Sequence, residues 1–306
     1  MNLQTLLLPA ILLLPAVAGQ AAGITDGMSG MEIMEEVQRR QRLDANIYEE
    51  QSIILVDGMG NRDTRTMRRY LKIDGSGSIK CLLLFDSPSD VYGTALLATK
   101  YAQGEFEIVI YLPASGGNIL QSRFSGQEEN MLGTDFSFDE LIGEVLSGYQ
   151  FVRREQKKIE NVLYVLVDVY EKDVDVATAS PTKRHFVHMD NYYITRTDYL
   201  DRYGRLIKQQ TLHDLKQPAA GTWRAGMVLM ENYKENHTTL IKINRRIFSE
   251  EYVPDEVFTV NWLYQNQPPH VLDLPVNEEG VEPDLIGREA TLYPARSVAA
   301  NGAGGR

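Results

Sequence analysis

Residues 51–74, QSIILVDGMGNRDTRTMRRYLKID, decide the fold class. Two runs rich in β-branched and aromatic residues flank a turn at Met59-Gly60-Asn61. The second run alternates between two sets of side chains, with Met67, Arg69, Leu71 and Ile73 in one and Thr66, Arg68, Tyr70 and Lys72 in the other. Because a period of two is typical of a strand with two different faces, this stretch predicts a β-hairpin.

Similar runs follow for most of the chain, separated by short turn-forming segments such as Asp201-Arg202-Tyr203-Gly204. They are SIKCLLLFD, TALLATKYA, FEIVIYLP, NILQSRF, YQFVRREQ, NVLYVLVDVY, RHFVHMDNYYITRTDYLD, RLIKQQTLHDL, TWRAGMVLMENY and HTTLIKINRRI. Successive strands with short links predict an antiparallel meander of about ten or eleven strands. A sheet of that size with so few helices must close on itself or curl around something. We therefore expect a mainly β (α+β) fold.

Three segments are predicted to be helical. Residues 29–43 begin with a suitable N-cap, Ser29, and place Ile33, Met34, Val37 and Leu43 near one face. The other two are FSFDELIGEVL (136–146) and SEEYV (249–253), which precedes Pro254. These short helices are too few to form a layer of their own, so we expect them to cover part of the sheet.

The two ends of the chain differ in composition from the middle. Residues 1–22 contain an apolar run from Leu6 to Val17 and an A-x-A site at Ala16-Val17-Ala18, and cleavage after Ala21 or Ala22 is a further possibility. This pattern predicts a cleaved secretory signal peptide, although its first segment lacks Lys and Arg. No Cys follows the apolar run, so we expect an exported periplasmic protein that is not itself lipidated. Residues 23–264 are predicted to form the folded domain, and residues 265–306, rich in Pro, Gly, Ala and acids, an extended and partly disordered tail.

Charge and cysteine content exclude several classes of partner. With 31 basic and 42 acidic residues, the net charge of −11 argues against nucleic acid and against an anionic membrane surface as the main partner. Cys81 is the only cysteine, so it forms no internal disulfide and is predicted to be a buried small hydrophobic residue.

Few residues are candidates for catalysis or metal binding. His185 and His188 are three residues apart on a predicted strand, where their side chains would point to opposite faces, so we expect no shared metal. Asp135, Asp139 and Glu140 could act as acid and base, but Ser137 and Glu140 also have the spacing of a capping box at a helix start. The chain has no G-x-S-x-G, H-E-x-x-H or phosphate-binding glycine motif. The sequence therefore predicts a protein that is not an enzyme, with no catalytic residue, metal or cofactor.

Large, adaptable apolar residues are plentiful, with ten Met, sixteen Tyr and nine Phe. Most of them are expected in the core. Flexible methionine surfaces also suit variable hydrophobic ligands, and a curved sheet with such side chains on its inner face can form a cavity for lipid.

An ordered series of motifs resembles the outer-membrane lipoprotein-sorting family of LolA/LolB-like periplasmic carriers. The motifs are FDSPSDVYGTALLA, IVIYLPASGGNILQ with Tyr111-Leu112-Pro113, MLGTDFSFDEL, YYITRTDYLDRYGRLIKQ, GTWRAGMVLMENYKENHTTLIKI and DEVFTVNWL. They cover residues 28–264 and are most similar to an uncharacterised branch of that family. Each motif is weak alone, and the specificity lies in their order.

The resemblance implies an antiparallel sheet of about eleven strands, bent into an incomplete barrel with short helices over the open face. It also implies a non-enzymatic periplasmic carrier that binds the acyl chains of lipids or lipoproteins and transfers them towards the outer membrane or an exporter. Its partners would be an inner-membrane transporter of the RND or ABC type and an outer-membrane acceptor. The candidate residues for the apolar cavity are Met34, Val37, Leu71, Leu83, Leu97, Ile108, Ile110, Phe136, Phe138, Leu166, Met227 and Met230.

Two other hypotheses remain open. The chain could be an accessory or scaffold subunit of an RND-type efflux or envelope-stress system, with the same fold and a filled core. It could also be an enzyme acting on lipid, which the lack of a nucleophile–base pair disfavours. Bound lipid would distinguish a carrier from a scaffold.

Overall fold

The computed structural model describes residues 23–41, 45–102, 105–113, 118–124, 130–143, 145–218 and 222–265. Within these residues, thirteen strands and three α-helices form the domain. The strands are β1 (Asn46–Val56), β2 (Arg62–Ile73), β3 (Ile79–Ser87), β4 (Ala95–Lys100), β5 (Phe106–Leu112), β6 (Asn118–Phe124), β7 (Tyr149–Ile159), β8 (Val162–Glu171), β9 (Lys183–His188), β10 (Ile194–Leu200), β11 (Leu206–His213), β12 (Met227–Asn232) and β13 (His237–Phe248). The helices are α1 (Gly30–Gln41), α2 (Phe138–Ile142) and α3 (Val260–Gln265).

All thirteen strands belong to one antiparallel sheet with the order β6-β5-β4-β3-β2-β1-β13-β12-β11-β10-β9-β8-β7. The chain starts in the middle of the sheet, runs outward to β6, crosses to the opposite edge at β7 and returns to β13. Strands β1 and β13 then pair along most of their lengths, from Ile47↔Phe248 to Val56↔Thr238. The predicted meander is therefore confirmed, as two meanders joined by one long-range pairing.

The sheet has more strands than the sequence patterns indicate. The run RHFVHMDNYYITRTDYLD, predicted as one strand, is interrupted after His188 by a turn in which Tyr192 has a φ of 59°. The backbone N–H of His188 donates to the carbonyl of Tyr193 across this turn. The turn has no Gly or Pro to mark it, which is why the two strands appear continuous in the sequence.

The sheet is bent so strongly that distant strands approach one another. Asp139 contacts both Lys100 on β4 and Tyr149 on β7, although these strands are ten positions apart in the sheet order. Ten strand spacings of about 4.8 Å would separate them by roughly 48 Å in a flat sheet. The sheet is therefore an incomplete barrel that stays open between β6 and β7, which confirms the predicted fold class.

The convex face of β1–β5 is covered by the C-terminal part of the described chain. Val253, Val257, Trp262 and Leu263 pack on a cluster that includes Tyr70. The segment SEEYV, predicted to be helical, forms a turn, and helical structure begins only after Pro254, with a 3-10 helix at Asp255–Phe258 followed by α3. Pro254 is the N-cap of this 3-10 helix. Proline has a φ that suits the start of a helix, but it lacks an N–H and its ring clashes with the preceding turn, so a helix does not run through it.

Helix α1 begins as predicted. Ser29 and Glu32 exchange hydrogen bonds between side chain and backbone, at 2.7 and 3.2 Å, and so form a capping box. Its predicted apolar residues Ile33, Met34 and Val37 are buried against the inner side of β7–β9. Leu43, the signal peptide and the tail beyond Gln265 lie outside the described residues. Among the helices that the structure describes, none is long and apolar enough to cross a membrane.

Candidate functional site

The concave face of the sheet is the surface on which a ligand site can form. The strand registers place a continuous set of alternate residues on this face, apolar on β1–β5 and more polar on β9–β13. Charged residues also occur there, such as Glu49, which is buried between Arg69 and Arg246. Burial raises the pKa of Glu49, but the two guanidinium groups outweigh it and lower the pKa to about 2. The concave face therefore combines an apolar half with a half that carries hydrogen-bonding groups.

Residues 130–143, here named the plug segment, cross this face. The backbone reverses at Leu132 and Gly133, whose φ values are 44° and 80°, and the N–H of Met131 then donates to the carbonyl of Phe136 at 2.8 Å. Ser137 and Glu140 form the predicted capping box at the start of α2, which is confirmed. The plug segment is thus a defined turn and helix rather than an irregular loop.

The apolar side chains of the plug segment fill the apolar half of the concave face. Met131, Phe136 and Ile142 are 0%, 1% and 3% exposed and belong to the same cluster as Leu71 and Leu83. Leu132, Phe138 and Leu141 pack against that cluster while staying partly exposed. Where an apolar cavity is predicted over β1–β5, the structure therefore has a packed core.

The polar groups of the plug segment attach it to the sheet at one end. Asp135 is buried, and its carboxylate receives hydrogen bonds from Asn232 at 3.1 Å and from the hydroxyl of Thr239 at 2.7 Å, while His237 Nδ1 lies 2.6 Å away. The backbone N–H of Asp135 donates in turn to the Thr239 hydroxyl at 2.9 Å. The Asp–His pair has the appearance of a catalytic dyad, but the hydroxyl beside it is bonded to the carboxylate and not to the imidazole. The arrangement is that of an anchor.

Two lysines hold the helical part of the plug segment. Lys208 on β11 contacts the carboxylate of Glu140 at 2.7 Å and the carbonyl of Asp135 at 3.0 Å. Lys100 on β4 forms an ion pair with Asp139 and donates to the carbonyl of Gly143 at 2.9 Å. The two acids predicted to lie in the first turn of a helix do so, and they also join α2 to strands on both sides of the barrel.

A cavity of about 200 Å³ remains between α1, the plug segment and the inner side of β9–β11. It is partly open to solvent. Its apolar lining consists of Met34 and Val37 on α1, with Leu146, Ile194 and Leu212. Its polar lining consists of Gln38, Asp139, Glu140, His185, Thr197, Gln210 and the tyrosines 193 and 199. The cavity therefore suits a small ligand that has both apolar surface and hydrogen-bonding groups.

His185 is a buried polar group of this lining. It is 4% exposed, and its Nδ1 lies 2.9 Å from the hydroxyl of Thr197 on the next strand. His188, by contrast, stacks edge-on against Tyr164 on the other face of the sheet. The two histidines point to opposite faces, as predicted. Among the residues that the structure describes, no group of three or more His, Cys, Asp or Glu is placed to hold a metal ion.

The sequence-predicted site residues separate into three sets. Met34 and Val37 line the cavity. Seven others lie on the concave face or in the plug segment that covers it, and they form part of the core there: Leu71, Leu83, Ile108 and Ile110 on β2–β5, Met230 on β12, and Phe136 and Phe138 in the plug segment. The remaining three, Leu97, Leu166 and Met227, lie on the convex face.

The placement of those three residues corrects the prediction that they line the inner wall. Leu97 packs in the convex cluster, while its neighbours Leu96 and Ala98 face inward. Leu166 alternates with Val165 and Val167, which face α1, and Met227 precedes the inward-facing Val228. The reason is strand parity, since successive side chains point to opposite faces and a sequence run does not state which set is inside.

The sequence patterns did not indicate Thr197 and Gln210 as lining residues, and they indicated His185 only as a candidate metal ligand. His185, Thr197 and Gln210 are directly paired on β9, β10 and β11, through the registers Thr197↔His185 and Thr197↔Gln210. The alternation of strand faces could have indicated them, because each of these residues lies on the same face of its strand as apolar neighbours that point inward. The turn between β9 and β10 interrupts this alternation, so its position had to be known before the faces of the two strands could be assigned.

The fold and the cavity together define a class: an open, strongly curved antiparallel sheet with short helices over its concave face, which is the LolA-like fold. Three solved structures share it. A domain described as an outer membrane lipoprotein-sorting protein, from Vibrio parahaemolyticus, aligns with a TM-score of 0.69 and 23% identity over 77% of this chain and 98% of its own. A DUF1329 family protein from Desulfovibrio piger aligns with a TM-score of 0.67 and 20% identity, over 76% and 98%. The LolA superfamily protein NE2245 from Nitrosomonas europaea aligns with a TM-score of 0.59 and 14% identity, over 77% and 100%.

A family model described as "Uncharacterized protein" matches residues 77–265. Because the match spans more than half of the chain, the protein belongs to that family. No curated protein matches the chain. The likeness to lipoprotein-sorting and LolA-like structures, drawn above from sequence motifs, is confirmed for the fold.

Proposed function

We propose that the protein is a non-enzymatic periplasmic carrier that binds acyl chains of lipids or lipoproteins in the cavity between α1, the plug segment and β9–β11. The observation that carries the proposal is the cavity itself. It lies under the helices on the concave face of a LolA-like sheet, and apolar side chains of Met34, Val37 and Ile194 share its wall with hydrogen-bonding groups. An acyl chain would contact the apolar wall, and an ester or amide group would find donors among the polar residues.

The size of the cavity limits what enters without a movement. Its volume of about 200 Å³ is below the range of roughly 300–1,000 Å³ found for pockets that enclose drug-sized ligands. A short alkyl segment fits, and a full acyl chain requires the cavity to widen. The plug segment is held by buried ion pairs. Helix α1 is held by apolar packing and by polar contacts near its two ends: Arg153 donates to the carbonyls of Thr25 and Met28 at 2.6 and 2.8 Å, and Arg40 donates to the carbonyl of Asn191 at 3.2 Å. Helix α1 is therefore the wall that moves in this proposal.

Ligand binding tests the proposal directly. Protein purified from periplasm is analysed by native mass spectrometry for bound acyl species, and delipidated protein is titrated with a fluorescent fatty acid. Ile194→Trp places an indole in the cavity and is expected to weaken probe binding at least about tenfold. Leu163→Trp, at a position 42% exposed and not part of the cavity lining, is the matched control and is expected to bind like the unmodified protein.

The outcomes separate the hypotheses. Bound lipid together with a selective loss in Ile194→Trp supports the carrier. Absence of bound lipid and of probe binding in the unmodified protein would contradict it. Equal binding by both variants would place the ligand elsewhere and contradict the proposed site.

A second candidate function is an accessory or scaffold subunit of an RND-type exporter or an envelope-stress system. The observation that favours it is the plug segment, because Met131, Phe136 and Ile142 fill the wall that a capacious carrier would leave free. In that case the protein binds no acyl probe and is retained by the exporter in a pull-down from solubilised membranes. The protein is also assayed for hydrolysis of ester substrates, because hydrolysis would contradict both the carrier and the scaffold function.

Periplasmic location is also part of the proposal. It depends on the predicted signal peptide in residues 1–22, which lies outside the described residues. Fractionation and amino-terminal sequencing are expected to find a mature chain in the periplasm that begins after residue 18, 21 or 22. A chain that retains Met1 in the cytoplasm would contradict the location and, with it, the proposed transfer role.

A further inference from the structure

Three hairpin turns of this protein have the same construction. The turns at residues 57–61, 74–78 and 201–205 each begin with an Asp whose Oδ1 accepts hydrogen bonds from the backbone N–H groups two and four residues later, at 2.9–3.0 Å. The fourth residue of each turn is a glycine with positive φ, 86° at Gly60, 86° at Gly77 and 75° at Gly204. The aspartate and the glycine are common to the three turns and stabilise each of them. In the turn at residues 74–78 the third residue adds a further contact, since the hydroxyl of Ser76 donates to Asp74 Oδ1 at 2.6 Å.

The third residue is where the turns differ. In two of them it is a large side chain turned into solvent: Met59 is 85% exposed and Tyr203 is 64% exposed. In the remaining turn the same position is occupied by Ser76, also exposed. The turn therefore forms with a serine there, and its geometry does not explain the apolar side chains.

The two turns with apolar side chains lie at the same end of the sheet, and a third exposed ring lies between them. Tyr233, 48% exposed, is on the turn between β12 and β13. The turns adjoin, because Gly58 faces Asn236 and the N–H of Tyr233 donates to the carbonyl of Ile207. The turn with Ser76 is at the opposite end, since it joins the other end of β2. Adjacent hairpins are about 10 Å apart, so Met59, Tyr233 and Tyr203, here named the tip row, extend over roughly 20 Å.

The charges around the tip row differ from those of the whole chain. Residues 57–62, 201–206 and 232–237 contain three acidic and four basic side chains, in a chain whose net charge is −11. The carboxylates of Asp57 and Asp201 are folded back into their own turns. Arg202 extends over the Tyr203 ring at 4.7 Å from its centroid. The outward surface of these three turns therefore carries apolar and aromatic side chains, with cations beside the Tyr203 ring, while the hydroxyl of Tyr233 donates to Glu231 at 3.2 Å.

We propose that the tip row docks the protein on the headgroup region of a zwitterionic phospholipid bilayer. Tyrosine rings with their hydroxyl groups suit the boundary between headgroups and acyl chains, and Arg202 and Lys234 would meet lipid phosphates. Side chains spaced singly along a line match a planar surface, whereas a protein partner is usually bound through a compact cluster with a buried centre. The overall negative charge disfavours an anionic bilayer. This goes beyond the carrier proposal, and its test involves no cargo.

Vesicle binding tests it with the full mature chain. Met59→Ser, Tyr203→Ser and Tyr233→Ser are combined, and the Ser76 turn indicates that at least the first two leave their turns intact. The matched control combines Tyr101→Ser and Leu163→Ser, which are 38% and 42% exposed at the opposite end. The unmodified protein is expected to co-sediment with phosphatidylcholine vesicles. Its partition coefficient onto the vesicles should fall roughly tenfold or more in the triple variant and change less than about twofold in the control. Unchanged circular dichroism shows that the fold is intact.

Several results would overturn the docking proposal. One is no sedimentation of the unmodified protein with phosphatidylcholine vesicles, and another is equal partitioning by the triple variant. Strong binding only to vesicles containing phosphatidylglycerol, insensitive to the triple substitution, would point to electrostatics alone. Concentration-dependent dimers that the triple variant abolishes, without vesicle binding, would assign the tip row to a second copy of the chain.

Discussion

Replacement of Phe136 by alanine tests whether the plug segment is part of the core or a detachable lid. The Phe136 ring is 1% exposed and packs among concave-face residues of several strands. Truncation of a buried phenylalanine removes its transfer free energy and leaves a cavity, and typically costs about 3–5 kcal/mol. We expect a decrease of that size in the free energy of unfolding of Phe136→Ala.

The measurement is urea unfolding followed by far-ultraviolet circular dichroism, with a thermal scan beside it. The midpoint of the transition should fall while its slope stays the same, because the surface exposed on unfolding hardly changes. For a domain of this size, each kcal/mol corresponds to about 2–4 °C, so the melting temperature should fall by roughly 6–20 °C. Phe138→Ala is the matched control: its ring is only partly buried, and about 1–3 kcal/mol is expected.

The reasoning would be refuted by a loss below about 1 kcal/mol in Phe136→Ala, or by equal losses in the two variants. Either result would mean that the plug segment leaves the concave face at little cost. The apolar half of that face would then be available to a ligand, and the cavity would be larger than the one between α1 and β9–β11.

Three further predictions concern polar groups. Asp135→Ala removes the carboxylate partner of the buried Asn232 and Thr239 and of the partly buried His237, and it should cost about 3 kcal/mol in chemical unfolding. Asp201→Ala in an exposed turn should cost less than about 1 kcal/mol, and similar losses in the two variants would contradict the anchoring role of Asp135. The pKa of Glu49 is lowered in the folded protein to about 2 from its ordinary value of about 4.5. Its ionised carboxylate therefore adds on the order of 3 kcal/mol to the free energy of unfolding. This stabilisation is fully present above pH 4.5 and is lost as the pH falls towards 2. Unfolding measured from pH 6 to pH 2.5 should show this decline, and Glu49→Gln should make it shallower; an unchanged slope would exclude the assignment. Ser137→Ala removes the cap of α2 and should lower the free energy of unfolding by about 1 kcal/mol. Ser137→Asp, which can also cap a helix, should retain most of the stability. No loss in Ser137→Ala would show that the lysine contacts alone hold the helix.

Local features were predictable because neighbouring residues determine them. The hairpin at residues 51–74 follows from alternation and a glycine turn, and the capping boxes at Ser29 and Ser137 follow from a spacing of three residues. The turn between β9 and β10 was not predictable in this way, because Tyr192 adopts a positive φ without the usual Gly or Asn. The role of the acids in the plug segment was only half predictable, since capping is local but pairing with Lys100 and Lys208 is not.

The sequence by itself determined that the protein is a long antiparallel meander with few helices, because period-two runs and turn residues are properties of adjacent positions. Only the tertiary structure decided which face of each strand lies inside, that β1 pairs with β13, and that Phe136 fills part of the inner wall. Those outcomes depend on how a sheet of thirteen strands bends and on which side chains then compete for the same space. Leu96 and Leu97 make the difference plain: they are chemically identical neighbours, and only the direction of the curvature places one in the core under the plug segment and the other beneath the C-terminal segment.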